Sequence, residues 1–158
     1  MRASEFDEVA FFKAVEGSGA RGLLIGRRAL VILGLPVMTA DYDFWIAIED
    51  IAVFNEAAAS FDLHPTKSPD EARRSGRYVL ENDEHIDVLV ARSVTARTGE
   101  VVEFEPLWER RQTVTIAEGV RAWVPSIDDL ILTKRFALRP RDLEDIRLLE
   151  MLRSQRAE

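Results

Sequence analysis

A chain of 158 residues, 47% apolar and 31% charged, is enough for one compact domain with a real core and too short for two. It has no cysteine, which excludes disulfides and cysteine-based zinc sites and points to a reducing cytoplasm; its acidic opening and lack of a long apolar run lead us to expect neither a secretory signal nor a membrane span. A formal net charge of −7 argues against a general binder of nucleic acid, although bound divalent cations would cancel part of that charge in a metal enzyme.

In chain order, Phe6, Val9, Ala10, Lys13 and Ala14 fall at helical spacing and predict a helix over 6–16, ended by Gly17-Ser18-Gly19. Leu23-Leu24-Ile25, with a glycine on each side, predicts a short buried strand, and 27–33 a helix that Gly34 closes. After a loop over 35–40, the aromatic and β-branched run 42–48 predicts a second strand. Asp50 is placed to cap a helix running to about Ser60. The stretch 64–69 reads as a loop, followed by a short helical turn from Asp70. Residues 77–81 and 85–91 read as a hairpin around Asn82-Asp83, 103–111 as a short helix, and 113–116 with 120–124 as a strand pair joined at Glu118-Gly119. Ser126 opens a helix to about Leu138, with Asp129 where the acid of a capping box belongs. Pro140 breaks it and starts a last helix, with Leu143, Ile146, Leu149 and Leu152 in one stripe. Strands in the first two thirds and two helices at the end give an α+β fold, a mixed sheet flanked by helices with a C-terminal helical pair. The expected organisation is a single domain over 1–158, its core at about 20–125 and its closing helices at about 126–155.

Asp41-Tyr42-Asp43 stands at the start of a predicted strand. Alternation puts Asp41 and Asp43 on one face and Tyr42 on the other. Two carboxylates one strand period apart repel unless a positive charge lies between them, and Mg²⁺ is typically held by one or two carboxylates plus substrate phosphates. Taken alone, Asp-x-Asp is usually a solvated loop-to-strand junction. Asp87 interrupts the apolar strand His85-Ile86-Asp87-Val88-Leu89-Val90, where an acid is costly to bury without a partner. It reads evenly as a third acid of the cluster or as an outward-facing residue. Trp45 and His85 share the faces of Asp43 and Asp87; core packing suits Trp45 and a strand-end surface suits His85. Upstream, Gly22-Leu23-Leu24-Ile25-Gly26-Arg27-Arg28 is a strand, a glycine and a helix start, an arrangement that offers free backbone N–H groups to a phosphate. Positive charge gathers at Arg21, Arg27 and Arg28, at Arg73, Arg74 and Arg77, and over 134–141; each patch reads first as a solvated face.

The order strand, glycine, helix, loop, Asp-x-Asp and later Asp resembles the nucleotidyltransferase superfamily related to DNA polymerase beta. The family pattern is an apolar residue, Gly, Gly or Ser, a spacer, then Asp-x-Asp or Asp-x-Glu between apolar residues. Here it stands as Ile25-Gly26-Arg27, thirteen residues, and Asp41-Tyr42-Asp43-Phe44. Within the superfamily, the loop Gly34-Leu35-Pro36-Val37-Met38-Thr39-Ala40 is most similar to bacterial abortive-infection toxins of the AbiEii type. So are Ile127-Asp128-Asp129-Leu130-Ile131-Leu132-Thr133-Lys134-Arg135-Phe136-Ala137 and Arg141-Asp142-Leu143-Glu144-Asp145-Ile146. Two positions depart from the pattern. Arg27 replaces the second Gly or Ser, and Val37-Met38-Thr39 lacks the arginine that commonly precedes the threonine by two places.

The resemblance implies Asp41, Asp43 and Asp87 as ligands of Mg²⁺ or Mn²⁺, with Asp87 also a base for the acceptor hydroxyl. It implies Gly26, Arg27, Arg28, Thr39 and Lys134 as the nucleotide-binding set, with an arginine pairing directly with phosphate. The alternative for Lys134 is a helix-surface lysine; the simpler account of Asp142 and Asp145 is helix-start acids favoured by the dipole. The activity implied is metal-dependent transfer of an NMP group from an NTP to a hydroxyl of RNA (tRNA included), protein or a small molecule, possible within a toxin–antitoxin pair with a cognate partner protein. The alternative is a catalytically inactive module of the same fold, an antitoxin or regulatory partner.

Overall fold

A computed structural model describes residues 6–157. The first helix, α1 (Glu8–Ser18), is capped by Asp7, whose carboxylate accepts from the Ala10 N–H at 3.0 Å. Then come β1 (Gly22–Ile25), α2 (Gly26–Ile32), β2 (Tyr42–Ile46), α3 (Ile51–Ala59), the two-residue β3 (His64–Pro65) and α4 (Pro69–Ser75). The hairpin β4 (Arg77–Glu81) and β5 (His85–Leu89) follows, then β6 (Ser93–Thr95), β7 (Val101–Glu103), α5 (Phe104–Glu109), β8 (Gln112–Ala117) and β9 (Val120–Val124). The chain closes with α6 (Ile127–Lys134) and α7 (Pro140–Ala157).

Five strands form the main sheet in the order β1-β2-β5-β4-β3; β2 and β5 run parallel and their neighbours antiparallel. The sheet is therefore mixed and flanked by helices, the α+β architecture read from the sequence. Its two faces bury different cores. Tyr42, Phe44 and Ile46 point to one side and pack with Phe11, Phe12 and Phe54 of α1 and α3. Leu23 and Trp45 point to the other and pack with Val102, Phe104 and Leu107. Trp45 is fully buried, and its indole N–H donates to the Ala91 carbonyl at 2.8 Å, so the one polar atom of a large apolar side chain is satisfied. Core packing is its role. Among the described residues no helix is long and apolar enough to cross a membrane.

Several local expectations are corrected. Asp50 stands at the N-cap position of α3, but its carboxylate makes no capping bond there and accepts from the Arg21 backbone N–H at 2.9 Å instead. The loop expected at 64–69 contributes an edge strand and Ser68, which forms a full capping box with Glu71 on α4. The β6–β7 hairpin was not legible, because its strands are three residues each and show little alternation to detect. Ser126 caps α6 as expected, but Asp129 turns its carboxylate to the Arg110 guanidinium at 2.9 and 3.0 Å instead of completing a box. The helix α6 stops at Lys134, short of Leu138, which sits at φ +53 in the bend before α7. The predicted stripe on α7 is also incomplete. Leu149 is buried and Leu143 is 49% exposed, while the first turns of α7 bury Asp142 and Asp145.

Candidate active site

The antiparallel pairing of β1 with β2, the parallel pairing of β2 with β5 and the β4–β5 hairpin line up one row of residues across the sheet: Ile25, Asp43, Asp87 and Val79. Residues in register on adjacent strands share a face, with strands about 4.8 Å apart, so Asp43 and Asp87 stand side by side. They floor a cavity of about 420 Å³. The end of α6 and the bend into α7 supply the facing wall through Thr133, Lys134, Phe136 and Arg139, with Asp142 behind them. A third side is made by Thr66, Lys67 and Arg77.

Gly26 lies at the β1 end of this row and at the first turn of α2. Its φ of +71 is left-handed, and a Cβ placed there would run into the Asp43 carboxylate. Two independent constraints therefore require glycine, the backbone angle and the closeness of Asp43.

Burial pushes the Asp43 carboxyl up to about 6, and the charges of Asp87 and then Asp41 push the same way; Lys134 and Arg139 pull less strongly against them. No cation lies within ion-pairing distance of Asp43 among the described residues. Asp87 is half-exposed and has His85 alongside, Nε2 to Oδ1 3.3 Å. Asp41 sits one residue before β2, exposed, its backbone N–H donating to Thr39 Oγ1 at 3.0 Å. The structure thus brings together Asp43 and Asp87 and leaves Asp41 at the rim, near enough for its charge to reach Asp43. Among the described residues, no three acidic or imidazole side chains gather closely enough to hold a metal by themselves. Two adjacent carboxylates with no lysine or arginine between them still suit Mg²⁺ or Mn²⁺, since such ions complete their shell with water and substrate phosphates.

The nucleotide-binding candidates fall into two groups. Gly26 and Lys134 line the cavity. Arg27, Arg28 and Thr39 do not. Arg27 makes a two-pronged pair with Asp145, both contacts 3.2 Å, and also reaches the Met38 carbonyl. Arg28 donates to the Thr39 carbonyl at 2.9 Å, and its guanidinium lies 4.4 Å from the centre of the Tyr42 ring. These residues fasten the loop ahead of β2 to α2.

Lys134 is no surface lysine. Its ammonium is buried and donates to Asp145 at 2.7 Å, with Asp142 at 3.8 Å. Asp142 in turn accepts from the Arg139 side chain at 3.0 Å and the Arg139 backbone N–H at 2.8 Å. Burial opposes its charge, yet these hydrogen bonds and the Arg139 and Lys134 charges win, and the carboxyl lies below its ordinary range. Asp142 and Asp145 are therefore buried partners in a chain of charges, Arg27–Asp145–Lys134–Asp142–Arg139, and not solvated helix-start acids. Two acids three apart, directly after the basic run 134–141, were the signal in the sequence. Lys67, Arg77 and Arg139 were not singled out for the cavity, because nothing local links them to it.

The family described as nucleotidyltransferase of unknown function, DUF6036, matches residues 20–155. No curated protein matches the sequence. Among solved structures, the antibiotic-resistance factor ANT(2'')-Ia is similar with a TM-score of 0.63 and 13% identity, over 89% of this chain and 78% of that one. The lincosamide antibiotic adenylyltransferase LnuA, solved with lincomycin bound, gives 0.62 and 14%, over 93% and 98%. The protein TM1012 from Thermotoga maritima gives 0.55 and 13%, over 92% and 87%. At such identities the likeness is one of fold. The affinity to abortive-infection toxins rests on the sequence loops alone.

Proposed function

The chain belongs to this nucleotidyltransferase family, and on that premise we propose that it moves a nucleoside monophosphate from an NTP to a hydroxyl group at the cavity floored by Asp43 and Asp87. The observation that carries the reading is the pair itself: two carboxylates in register on one sheet face, one with its pKa raised, facing a wall that holds Lys134 and Arg139. Asp43 and Asp87 would hold Mg²⁺ or Mn²⁺, with Asp41 at the outer edge. When bound, such ions clamp the triphosphate and stabilise the charge that develops on departing pyrophosphate.

Gly26 leaves room for the phosphates beside α2, and Lys134 offers an ammonium on the facing wall. Arg27, Arg28 and Thr39 serve the nucleotide through the loop they fasten rather than by contact. Asp87, the more open of the two acids, takes the proton from the acceptor hydroxyl. The acceptor oxygen bonds to the α-phosphorus as the bond from that phosphorus to the β-phosphate bridging oxygen breaks, and pyrophosphate leaves with the electron pair. The likeness to LnuA favours a small hydroxyl compound as acceptor; the loop resemblance to abortive-infection toxins supports tRNA or a protein, a cytoplasmic setting and a cognate partner.

A second reading, an inactive module that keeps the fold, draws on Arg27, which occupies the place of a small phosphate-facing residue and is tied to Asp145. One experiment separates them. Each α-labelled NTP is incubated with Mg²⁺ or Mn²⁺ and a panel of small hydroxyl compounds, tRNA and protein. Wild type should transfer label and Asp43→Asn should not. No transfer, together with no metal-dependent rise in melting temperature in the presence of NTP, leaves the inactive module standing.

A further inference from the structure

The row that sets the two acids side by side continues past Asp87 to Val79 and then to Thr66, whose backbone N–H donates to the Val79 carbonyl at 2.9 Å and whose hydroxyl accepts from the Val79 N–H at 3.1 Å. Gly26 lies at the opposite end. If the triphosphate enters beside Gly26, whatever offers its hydroxyl to Asp87 must extend toward Thr66. That end of the cavity is basic. Arg77 shares the sheet face with Val79, two residues along β4, and Lys67 follows Thr66; both line the cavity.

Neither cation has an ion pair among the described residues. The Lys67 ammonium donates to two uncharged oxygens, Ser75 Oγ at 2.9 Å and the Arg77 carbonyl at 3.0 Å, which leaves its full charge and a third N–H. The Arg77 guanidinium has no ion pair or hydrogen bond among the described residues, whereas Arg73 nearby is paired with Asp70. Two positive side chains without an ion pair wall the end of the cavity away from Gly26, and together they can receive an anionic group on a molecule that enters there. Asp87 and Thr66 are two strand positions apart, roughly 10 Å. That span matches a hydroxyl and a phosphate at opposite ends of a sugar.

Resting on the nucleotidyltransferase reading, we propose that Lys67 and Arg77 form the acceptor subsite and that the acceptor is a small phosphorylated hydroxyl compound, its phosphate held by the two cations while its hydroxyl faces Asp87. The lysine supplies a point charge and the arginine a fork of donors that fits phosphate oxygens.

The test compares ribose 5-phosphate with ribose, by calorimetry, on protein saturated with Mn²⁺ and a nonhydrolysable ATP analogue. Wild type should bind the phosphorylated sugar about tenfold tighter, the effect of one charge-assisted contact set. The double variant Lys67→Ala/Arg77→Ala should lose that preference with the analogue's affinity unchanged, and Arg77→Lys should keep part of it. Both positions are at the surface, and thermal melts check that the variants fold. Equal affinity for the two sugars in wild type overturns the proposal. So does equal weakening of the ATP analogue in the double variant, since the cations would then serve the triphosphate. A short RNA with a free 3′-hydroxyl that binds more tightly than ribose 5-phosphate through the same two residues overturns the small acceptor. Failure of the analogue to bind with metal sinks the nucleotidyltransferase reading instead; the sugar comparison on metal-free protein then decides the anion subsite separately.

Discussion

Two pairs of aspartates lie on opposite sides of the same cavity, and the protein treats them in opposite ways. Asp142 and Asp145, on the first turns of α7, are buried, and every carboxylate oxygen of theirs that is placed near a cation finds one: Arg27, Lys134 or Arg139. Asp43 and Asp87, on the sheet, stand side by side with no lysine or arginine partner; the His85 imidazole lies against Asp87, and Asp43, the more buried, has a raised pKa. The paired acids are structural cement. The unpaired acids are a standing cost, since like charges in a half-buried site repel more strongly than in water. That cost, borne on the sheet while equivalent groups on α7 are neutralised, is what the proposed metal-holding role of Asp43 and Asp87 would account for.

The largest expected effect comes from breaking the paired side. Asp145→Ala leaves the buried Lys134 with only a long contact to Asp142 and frees Arg27, and should cost about 3–5 kcal/mol of stability, read by denaturant titration. A loss under about 1 kcal/mol would mean that the network is hydrated and that the contrast between the pairs is false. The unpaired side should respond with the opposite sign. Asp43→Asn should raise metal-free stability by up to roughly 3 kcal/mol at pH 8, the equivalent of its displaced pKa, and abolish stabilisation by Mn²⁺ with NTP. A silent substitution in both conditions would place Asp43 in water.

The pH dependence sharpens the same contrast. Asp43 has a folded pKa above its unfolded one, so its penalty is absent below about pH 4, grows through about 6 and is complete above that. Thermal melts should therefore show Asp43→Asn and wild type alike at pH 3.5 and separated at pH 8. Asp142 has a lowered pKa, so its contribution is present at neutral pH and lost only as pH falls below the ordinary carboxylate range. The gap between wild type and Asp142→Asn should accordingly close only at acid pH. The smallest effect is expected at the outer end of the network. The Arg139 side chain is 54% exposed, and Arg139→Ala should cost only about 0.5–1 kcal/mol.

What could be read from the sequence followed the range of the interactions. Asp43 and its strand were legible because alternation and aromatic content are local, and Asp87 because an acid in an apolar strand is conspicuous on its own. Gly26 was legible as a turn, but not as the residue whose missing side chain makes room for Asp43, which comes from another strand. The ion pairs of Arg27 and Lys134 were not legible for the same reason: Arg27 meets an acid 118 positions away, and Lys134 is buried where α7 packs against α6. Nor was the bend after α6 legible, since Leu138 adopts a left-handed backbone there that its side chain gives no reason to expect. Lys67 and Arg77 have no motif at all; they become a pair only through the register of β3 on β4.

The register between β2 and β5 also governs the order of events as the chain folds. The β4–β5 hairpin needs a loop of only a few residues, whereas Asp43 and Asp87 are separated by 44 positions, and closing a loop of that length costs roughly 3 kcal/mol of chain entropy before any contact repays it. The hairpin is therefore expected to form before it docks onto β2, and the docking step is the one that presses two carboxylates together. Their repulsion belongs to the barrier as well as to the native state. In a stopped-flow chevron, Asp43→Asn should accelerate the folding limb more than it slows the unfolding limb. An effect confined to unfolding would place the docking of β2 after the barrier. The same two residues read as metal ligands would then be, in the empty protein, a brake on its own assembly.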